Sequence, residues 1–324
     1  RSIYTILFSA GEYMENERNL ILAYCAGLID GDGSFFIGKE NGPIRIAKGY
    51  SPSYSPNIGL SEVGRNSVDL LKNLFGGYVG KTKAYIAKDG SNRQEFFRWR
   101  LDRGNSCKEC IEQLLPYLVL KKDRAQYLLN FINDHVIKEN SDRLSDEELQ
   151  IRENHYLKMK NFNSERLFSS DFKDRKVPSQ NANNHFWSYV AGLYDSDGSF
   201  SLSRLLVKNR STYSYYPSIV LSQIDCKSID YVFGGFKKGI RSLNKNKCCK
   251  LKFAYRFEIS CIEDITNFLT NCIPFLKLKK ERAQLLLDFC NIRTHYRFTD
   301  EQHQDREQIF FKLKSHNMGS INPT

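Results

Sequence analysis

The chain is written twice. Tyr24-Cys-Ala-Gly-Leu-Ile-Asp-Gly-Asp-Gly-Ser-Phe35 recurs as Tyr189-Val-Ala-Gly-Leu-Tyr-Asp-Ser-Asp-Gly-Ser-Phe200, an offset of 165 residues. Further matches follow in the same order. Leu60-Ser-Glu62 pairs with Leu221-Ser-Gln223, and Phe97-Arg-Trp-Arg-Leu101 with Tyr255-Arg-Phe-Glu-Ile259. Pro116-Tyr-Leu-Val-Leu-Lys-Lys122 pairs with Pro274-Phe-Leu-Lys-Leu-Lys-Lys280, and Arg124-Ala-Gln126 with Arg282-Ala-Gln284. A period of domain size is a duplicated domain, because solenoids and propellers repeat over much shorter units. The fold must therefore be one that about 150 residues complete once and the chain uses twice.

Each copy shows the same succession of patterns: an apolar helix, two alternating strands, a short helix, two more strands and two helices. Ser145-Asp-Glu-Glu148 and Thr299-Asp-Glu-Gln302 are capping boxes that open one further helix in each copy. The stretch 164–185 is polar and carries Pro178 and Asn181-Ala-Asn-Asn184, which marks it as a linker. This predicts residues 1–163 as one domain and 186–324 as its pseudo-symmetric partner, in an α+β fold.

The repeated helix has two unusual features. Ala23, Gly27 and Gly31 fall at i, i+4 and i+8 on one face, and their equivalents are Ser188, Gly192 and Ser196, all small. Mid-helix glycine costs about 0.8–1 kcal/mol against alanine. Close packing of the two motif helices against each other is the use expected to offset it, with packing on each copy's own sheet as the alternative. The second feature is Asp32, just before Gly33, which is expected to end the helix in a left-handed turn. Aspartate there opposes the helix dipole, where a basic residue is favoured. The placement recurs at Asp197. If the two helices pack together, both carboxylates meet the carbonyl-rich helix ends, those of Gly31 and Ser196 among them. These are hard oxygen ligands of the kind Mg²⁺ takes. Asp30 and Asp195 point elsewhere and read as hydrogen-bonding groups.

Charge points to a polyanionic partner: 48 basic against 37 acidic residues give +11, with pI ≈ 9.1. Residues 1–163 hold 23 basic and 21 acidic side chains, and 164–324 hold 25 and 16, so the excess lies in the second copy. Nine scattered cysteines suit a reducing compartment. Cys107 and Cys110 form a lone C-x-x-C with no second pair at zinc spacing. No apolar run approaches the ~20 residues of a membrane span, so no membrane partner is expected.

Ala26-Gly-Leu-Ile-Asp-Gly-Asp-Gly33 and Ala191-Gly-Leu-Tyr-Asp-Ser-Asp-Gly198 resemble the two signature motifs of the LAGLIDADG homing endonucleases, single-chain type, and the resemblance runs over nearly the whole chain. It implies two αββαββα domains packed through the motif helices. The implied activity is cleavage of both strands of a long, partly palindromic DNA site by a monomer with a divalent cation, leaving short 3′ overhangs. Mg²⁺ is the first choice, with Mn²⁺ and Ca²⁺ as alternatives. It maps metal binding to Asp32 and Asp197, a basic pocket residue to Lys121 and Lys279, and a polar strand residue to Glu62 and Gln223. Glu62 departs from the commoner amide. Lys121 and Lys279 are then placed to stabilise charge on the pentacovalent phosphate or to organise the attacking water.

Alternating strands would carry an outward row that includes Lys39, Arg45, Lys48, Arg98, Arg204, Lys208, Arg210 and Arg256, suited to double-stranded DNA in the major groove. Two other functions fit a basic sheet: an intron maturase with RNA as partner, and a DNA-binding regulator with a dead site. Retention of Asp32, Asp197, Lys121 and Lys279 argues against the regulator. The Lys-, Asn-, Ile-, Phe- and Tyr-rich composition suggests an AT-rich genome, such as a mitochondrial one.

Overall fold

The structure, a computed structural model, describes residues 3–87, 90–136, 143–162, 172, 176–206, 213–245, 253–292 and 298–317. The chain divides into two compact units, Arg1–Phe168 and Ser169–Thr324. Most of the first half of the expected linker lies outside the described residues. Its later part runs along the second unit, where the Gln180 amide donates to the Gly234 carbonyl at 3.0 Å.

The first unit begins with a helix, α1 (Ile3–Asp32), which passes into β1 (Gly33–Glu40), a short helix α2 (Pro43–Ala47) and β2 (Ser53–Glu62). Then come α3 (Asn66–Phe75), β3 (Tyr78–Thr82), a small ribbon of β4 (Tyr85–Ile86) and β5 (Asn92–Arg93), and β6 (Phe96–Leu101). The helices α4 (Gly104–Leu114), α5 (Lys122–Phe131) and α6 (Asp146–Asn161) close the unit. Its sheet is antiparallel in the order β1-β2-β6-β3.

The second unit repeats this as α7 (Asn184–Asp197), β7 (Gly198–Leu206), β8 (Tyr213–Gln223), α8 (Cys226–Phe236), β9 (Ile240–Lys245) and β10 (Phe253–Ile259). It ends with α9 (Ile262–Cys272), α10 (Lys280–Asn291) and α11 (Asp300–Asn317), over a sheet in the order β7-β8-β10-β9. The Thr299 capping box forms in full, and Ser145 caps its helix while the Glu148 carboxylate turns to Arg152 and His135 instead. The Ser145 hydroxyl accepts from the Glu148 amide, and Thr299 and Gln302 exchange bonds in both directions.

Strand alternation sorts each sheet into a core face and an open face. Phe35, Ile58, Leu60, Trp99 and Leu101 are buried against the helices, as are Phe200, Ile219, Leu221, Tyr255 and Phe257. The opposite row is short and hydroxyl-rich: Ser34, Ser55 and Ser61 in the first unit, Ser199, Ser201, Ser218 and Ser222 in the second. Cations are fewer on that row than the sequence suggested. Lys39 and Arg204 share the parity of buried Ile37 and Phe200 and so face the helices. Lys39 Nζ meets Glu153 Oε2 of α6 at 2.6 Å, and Arg204 Nη1 meets Glu307 Oε1 of α11 at 2.8 Å. These are one contact made twice, a latch of the last helix onto the first strand. The Tyr54 hydroxyl also bonds Glu153, and together with Lys39 holds that carboxyl below its usual range. Arg45 and Lys48 sit on α2 and its C-terminal turn rather than on a strand, stacked by Tyr50. Pro43 at the first turn favours the helix there. Lys208 and Arg210 lie outside the described residues.

The helix-to-strand junctions also differ from expectation. Neither Gly33 nor Gly198 is left-handed; Gly198 has φ −77° and ψ 154°, extended backbone. Glycine is needed for space. A Cβ on Gly33 would lie 2.7 Å from the Ile29 carbonyl oxygen, and one on Gly198 would lie 2.5 Å from Tyr194 Cα. The strand turns back against the last helical turn so closely that any side chain collides with it.

Candidate active site

The two acids of each motif lie in different surroundings, as their spacing requires. Asp30 is fully buried. Its Oδ2 accepts the amides of Val119 and Leu120 at 2.8 and 2.9 Å, and its Oδ1 that of Lys121 at 2.8 Å. Burial raises its carboxyl above the ordinary value, while these amides and the Lys121 charge pull it back. In the second unit Asp195 accepts from Lys277, Leu278 and Lys279 at 2.8, 3.0 and 2.8 Å. They are hydrogen-bonding groups, as read, but their partners lie 82–91 positions along the chain.

The reciprocal contact comes from the lysines. Lys121 Nζ donates to the carbonyls of Ile29, Gly31 and Gly33 at 2.8, 2.9 and 2.7 Å. Lys279 Nζ donates to Tyr194, Ser196 and Gly198 at 3.0, 2.9 and 2.8 Å. All three protons of each ammonium lie on carbonyls. The α1 C-terminus therefore does carry the cation its dipole favours; it arrives from the start of α5. Asp30 in turn places an anion at the α5 N-terminus. Each helix end is capped by a charge from the other helix.

This corrects the expectation of free carbonyls at the helix end, since those of Gly31 and Ser196 accept from lysine. It also makes a prediction. Lys121→Met removes three charge-assisted bonds from a half-buried helix end, which should cost about 2 kcal/mol, or roughly 4–8 °C of melting temperature for a unit of this size. A variant melting with the wild type would refute the clamp.

The clamp leaves the second acid outside. Asp32 and Asp197 are both exposed at the ends of α1 and α7. Asp32 lines an open cleft of about 320 Å³ on the open side of the first sheet, with Ser34, Phe36, Ser61, Arg98 and Arg100. Asp197 Oδ2 accepts from Gln223 Nε2 at 2.6 Å. Gln223 is buried at the end of β8, at the register position that Glu62 occupies on β2. Thus the structure brings Asp197 and Gln223 together directly. Arg100 was not singled out by sequence, though it repeats the outward parity of Arg98 in Phe97-Arg-Trp-Arg-Leu101.

Among the described residues no cluster of three or more His, Cys, Asp or Glu gathers to hold a metal, and no helix is long and apolar enough to cross a membrane. Cys107 and Cys110 are buried on α4. Burial pushes the Cys107 thiol up to about 12.

The fold that carries this site is that of the LAGLIDADG homing endonucleases. The I-SmaMI structure bound to an uncleaved DNA target with calcium ions matches with a TM-score of 0.66 at 14% identity, over 90% of this chain and 98% of that one. I-GzeII in complex with its DNA target matches at 0.65 and 18%, over 93% and 99%. I-CpaMI bound to uncleaved DNA matches at 0.61 and 15%, over 93% and 99%. No protein-family model and no curated protein matches the chain.

Proposed function

We propose that the chain is a single-chain LAGLIDADG homing endonuclease that cleaves both strands of a long, partly palindromic DNA site. One observation carries this reading: in both motifs the first acid is committed to the helix clamp and the second is left exposed. Such an arrangement serves no packing purpose, so Asp32 and Asp197 are assigned to catalysis.

A divalent cation fits these residues in donor chemistry. Mg²⁺ is commonly held by one or two carboxylates plus substrate phosphates, and each unit offers one exposed carboxylate. Asp32 and Asp197 would hold it; the carbonyls of Gly31 and Ser196, engaged by lysine, leave the ligand set. When bound, it would polarise a phosphodiester oxygen and favour hydrolysis with the 3′ oxygen as leaving group, giving 3′-hydroxyl and 5′-phosphate ends, and the offset of the two cuts would set the short 3′ overhang. Gln223 orients Asp197 through its amide, and Glu62 is assigned the corresponding place beside Asp32. Lys121 and Lys279 are positioning residues. They fix the turn on which each acid sits, through the carbonyls on either side of Asp32 and Asp197.

The experiment is incubation of the purified chain, as a monomer, with supercoiled DNA carrying the uninterrupted host site, with and without Mg²⁺. Linear product that depends on Mg²⁺ is expected. DNA binding without cleavage would favour a regulator, and binding of intron RNA in preference to DNA would favour the maturase.

A further inference from the structure

We propose that Arg98 and Arg100 read guanines in the half of the DNA site facing the first sheet, and that Glu258 withholds Arg256 from that role in the other half. The inference rests on the endonuclease reading and adds to it which residues choose the sequence.

The central strands of the two sheets correspond position by position. Arg98 lies opposite Ser61 and Arg100 opposite Gly59; Arg256 lies opposite Ser222 and Glu258 opposite Val220. All four point to the open face, since Trp99 and Phe257 between them are buried. Where the first unit has two guanidiniums, the second has a guanidinium and a carboxylate.

What each guanidinium touches differs in a way that matters for base reading. Arg98 Nε donates to Ser61 Oγ at 3.2 Å, and Arg100 Nε to Asn57 Oδ1 at 2.7 Å. Asn57 is buried and fixed by its own Nδ2 donating to the Ser55 carbonyl at 2.9 Å. Each arginine is thus steadied through Nε alone, and its two terminal nitrogens make no hydrogen bond among the described residues. Asp102 lies 3.9 Å from Arg100, with both side chains about half exposed at 47% and 59%. Arg256 is bound the other way. Its Nε donates to Glu258 Oε2 at 3.1 Å and its Nη2 lies 3.1 Å from Oε1. The carboxylate takes the Nε/Nη2 edge, pins the guanidinium along the strand and offsets the charge that would draw it to guanine O6 and N7.

Guanine presents O6 and N7 to the major groove, and a guanidinium edge meets both, the commonest specific protein–DNA contact. Two residues along a strand span roughly 6.8 Å, and two base-pair steps rise about the same distance. Arg98 and Arg100 can therefore address bases two steps apart. Both line the cleft that holds Asp32, which puts those bases next to the cleavage position. Phosphate contacts set affinity and base contacts set sequence. The larger net charge of the second copy and the open guanidiniums of the first thus serve different ends.

The test is selection of duplexes from a randomised pool by the full chain without divalent cation, so that binding is read apart from cleavage. The same selection is run on Arg98→Ala, Arg100→Ala and Glu258→Gln. The wild type should require guanine at two positions in one half-site. Each arginine variant should lose discrimination at one of them, by about 5- to 150-fold. Glu258→Gln should add a guanine preference in the half-site that lacked one. Arginine variants that weaken every sequence equally, with a salt slope shallower by about 0.9 each, would make these phosphate contacts and overturn the proposal. So would a Glu258→Gln variant with unchanged preference, or a selected site without those guanines. A wild type that selects no sequence overturns the endonuclease reading itself.

Discussion

Asp32→Asn and Asp197→Asn should each reduce double-strand cleavage on the order of a thousandfold while leaving DNA binding intact. Lewis-acid polarisation contributes several kcal/mol to such a hydrolysis, and about 4 kcal/mol corresponds to that factor in rate. An amide retains the shape of the side chain but loses the charge that would hold the cation. Removing an anion beside a phosphate weakens no contact to DNA, so the dissociation constant should stay level or fall. Because the two acids belong to different units, each single variant should accumulate nicked circles, with the opposite strand left intact in the two cases. The double variant should not cut. Both acids are exposed, unlike buried Asp30, and asparagine keeps an acceptor oxygen for the Gln223 amide at Asp197, so melting should change little. Unchanged linear product from the double variant would remove both acids from the site.

The neighbouring acid should behave in the opposite way. Asp30→Ala or Asp195→Ala strips the partner from three backbone amides at a buried junction. At about 1–3 kcal/mol for each unsatisfied group, with water recovering part of it, the loss should reach at least roughly 3 kcal/mol. That is a fall of about 6–12 °C in the melting of the affected unit. Asp30→Asn, which keeps one acceptor oxygen, should lose less. Calorimetry of the three variants tests this. An alanine variant as stable as the wild type would show that these amides find other partners. Together the two experiments separate acids two residues apart in one motif: one alters cutting without stability, the other stability first.

Much of this was legible because it depends on local pattern or on repetition. The duplicated motif, the helix starts at Ser145 and Thr299, the main succession of helices and strands in each copy (without α2 and the β4–β5 ribbon), and the hydrogen-bonding part of Asp30 all follow from pattern along the chain. A residue pair two apart on a helix cannot share a partner, whatever the tertiary structure.

Other features turn on phase and on distance. The run Phe35-Phe36-Ile37 is apolar on both parities, so period-2 alternation alone does not say which face Lys39 joins; burial of Ile37 does, and the lysine goes with it to Glu153. A one-residue change of phase exchanges every outward side chain for an inward one, which is why Lys39 and Arg204 became helix latches. The aspartate at the helix end looked opposed to the dipole because the neutralising ammonium is 92 positions away from the Ile29 carbonyl it caps. Nothing local announces such a partner. Gly33 is required for space and not for a left-handed turn, because the strand folds back onto Ile29. The pairing of Arg256 with Glu258 and the Nε-only bonds of Arg98 and Arg100 are likewise invisible in a charge count. The sequence by itself determined the duplication, most of the elements and the separation of the two acids in each motif; the tertiary structure decided which charges neutralise each other, because that depends on side-chain direction and on contacts between segments remote in the chain.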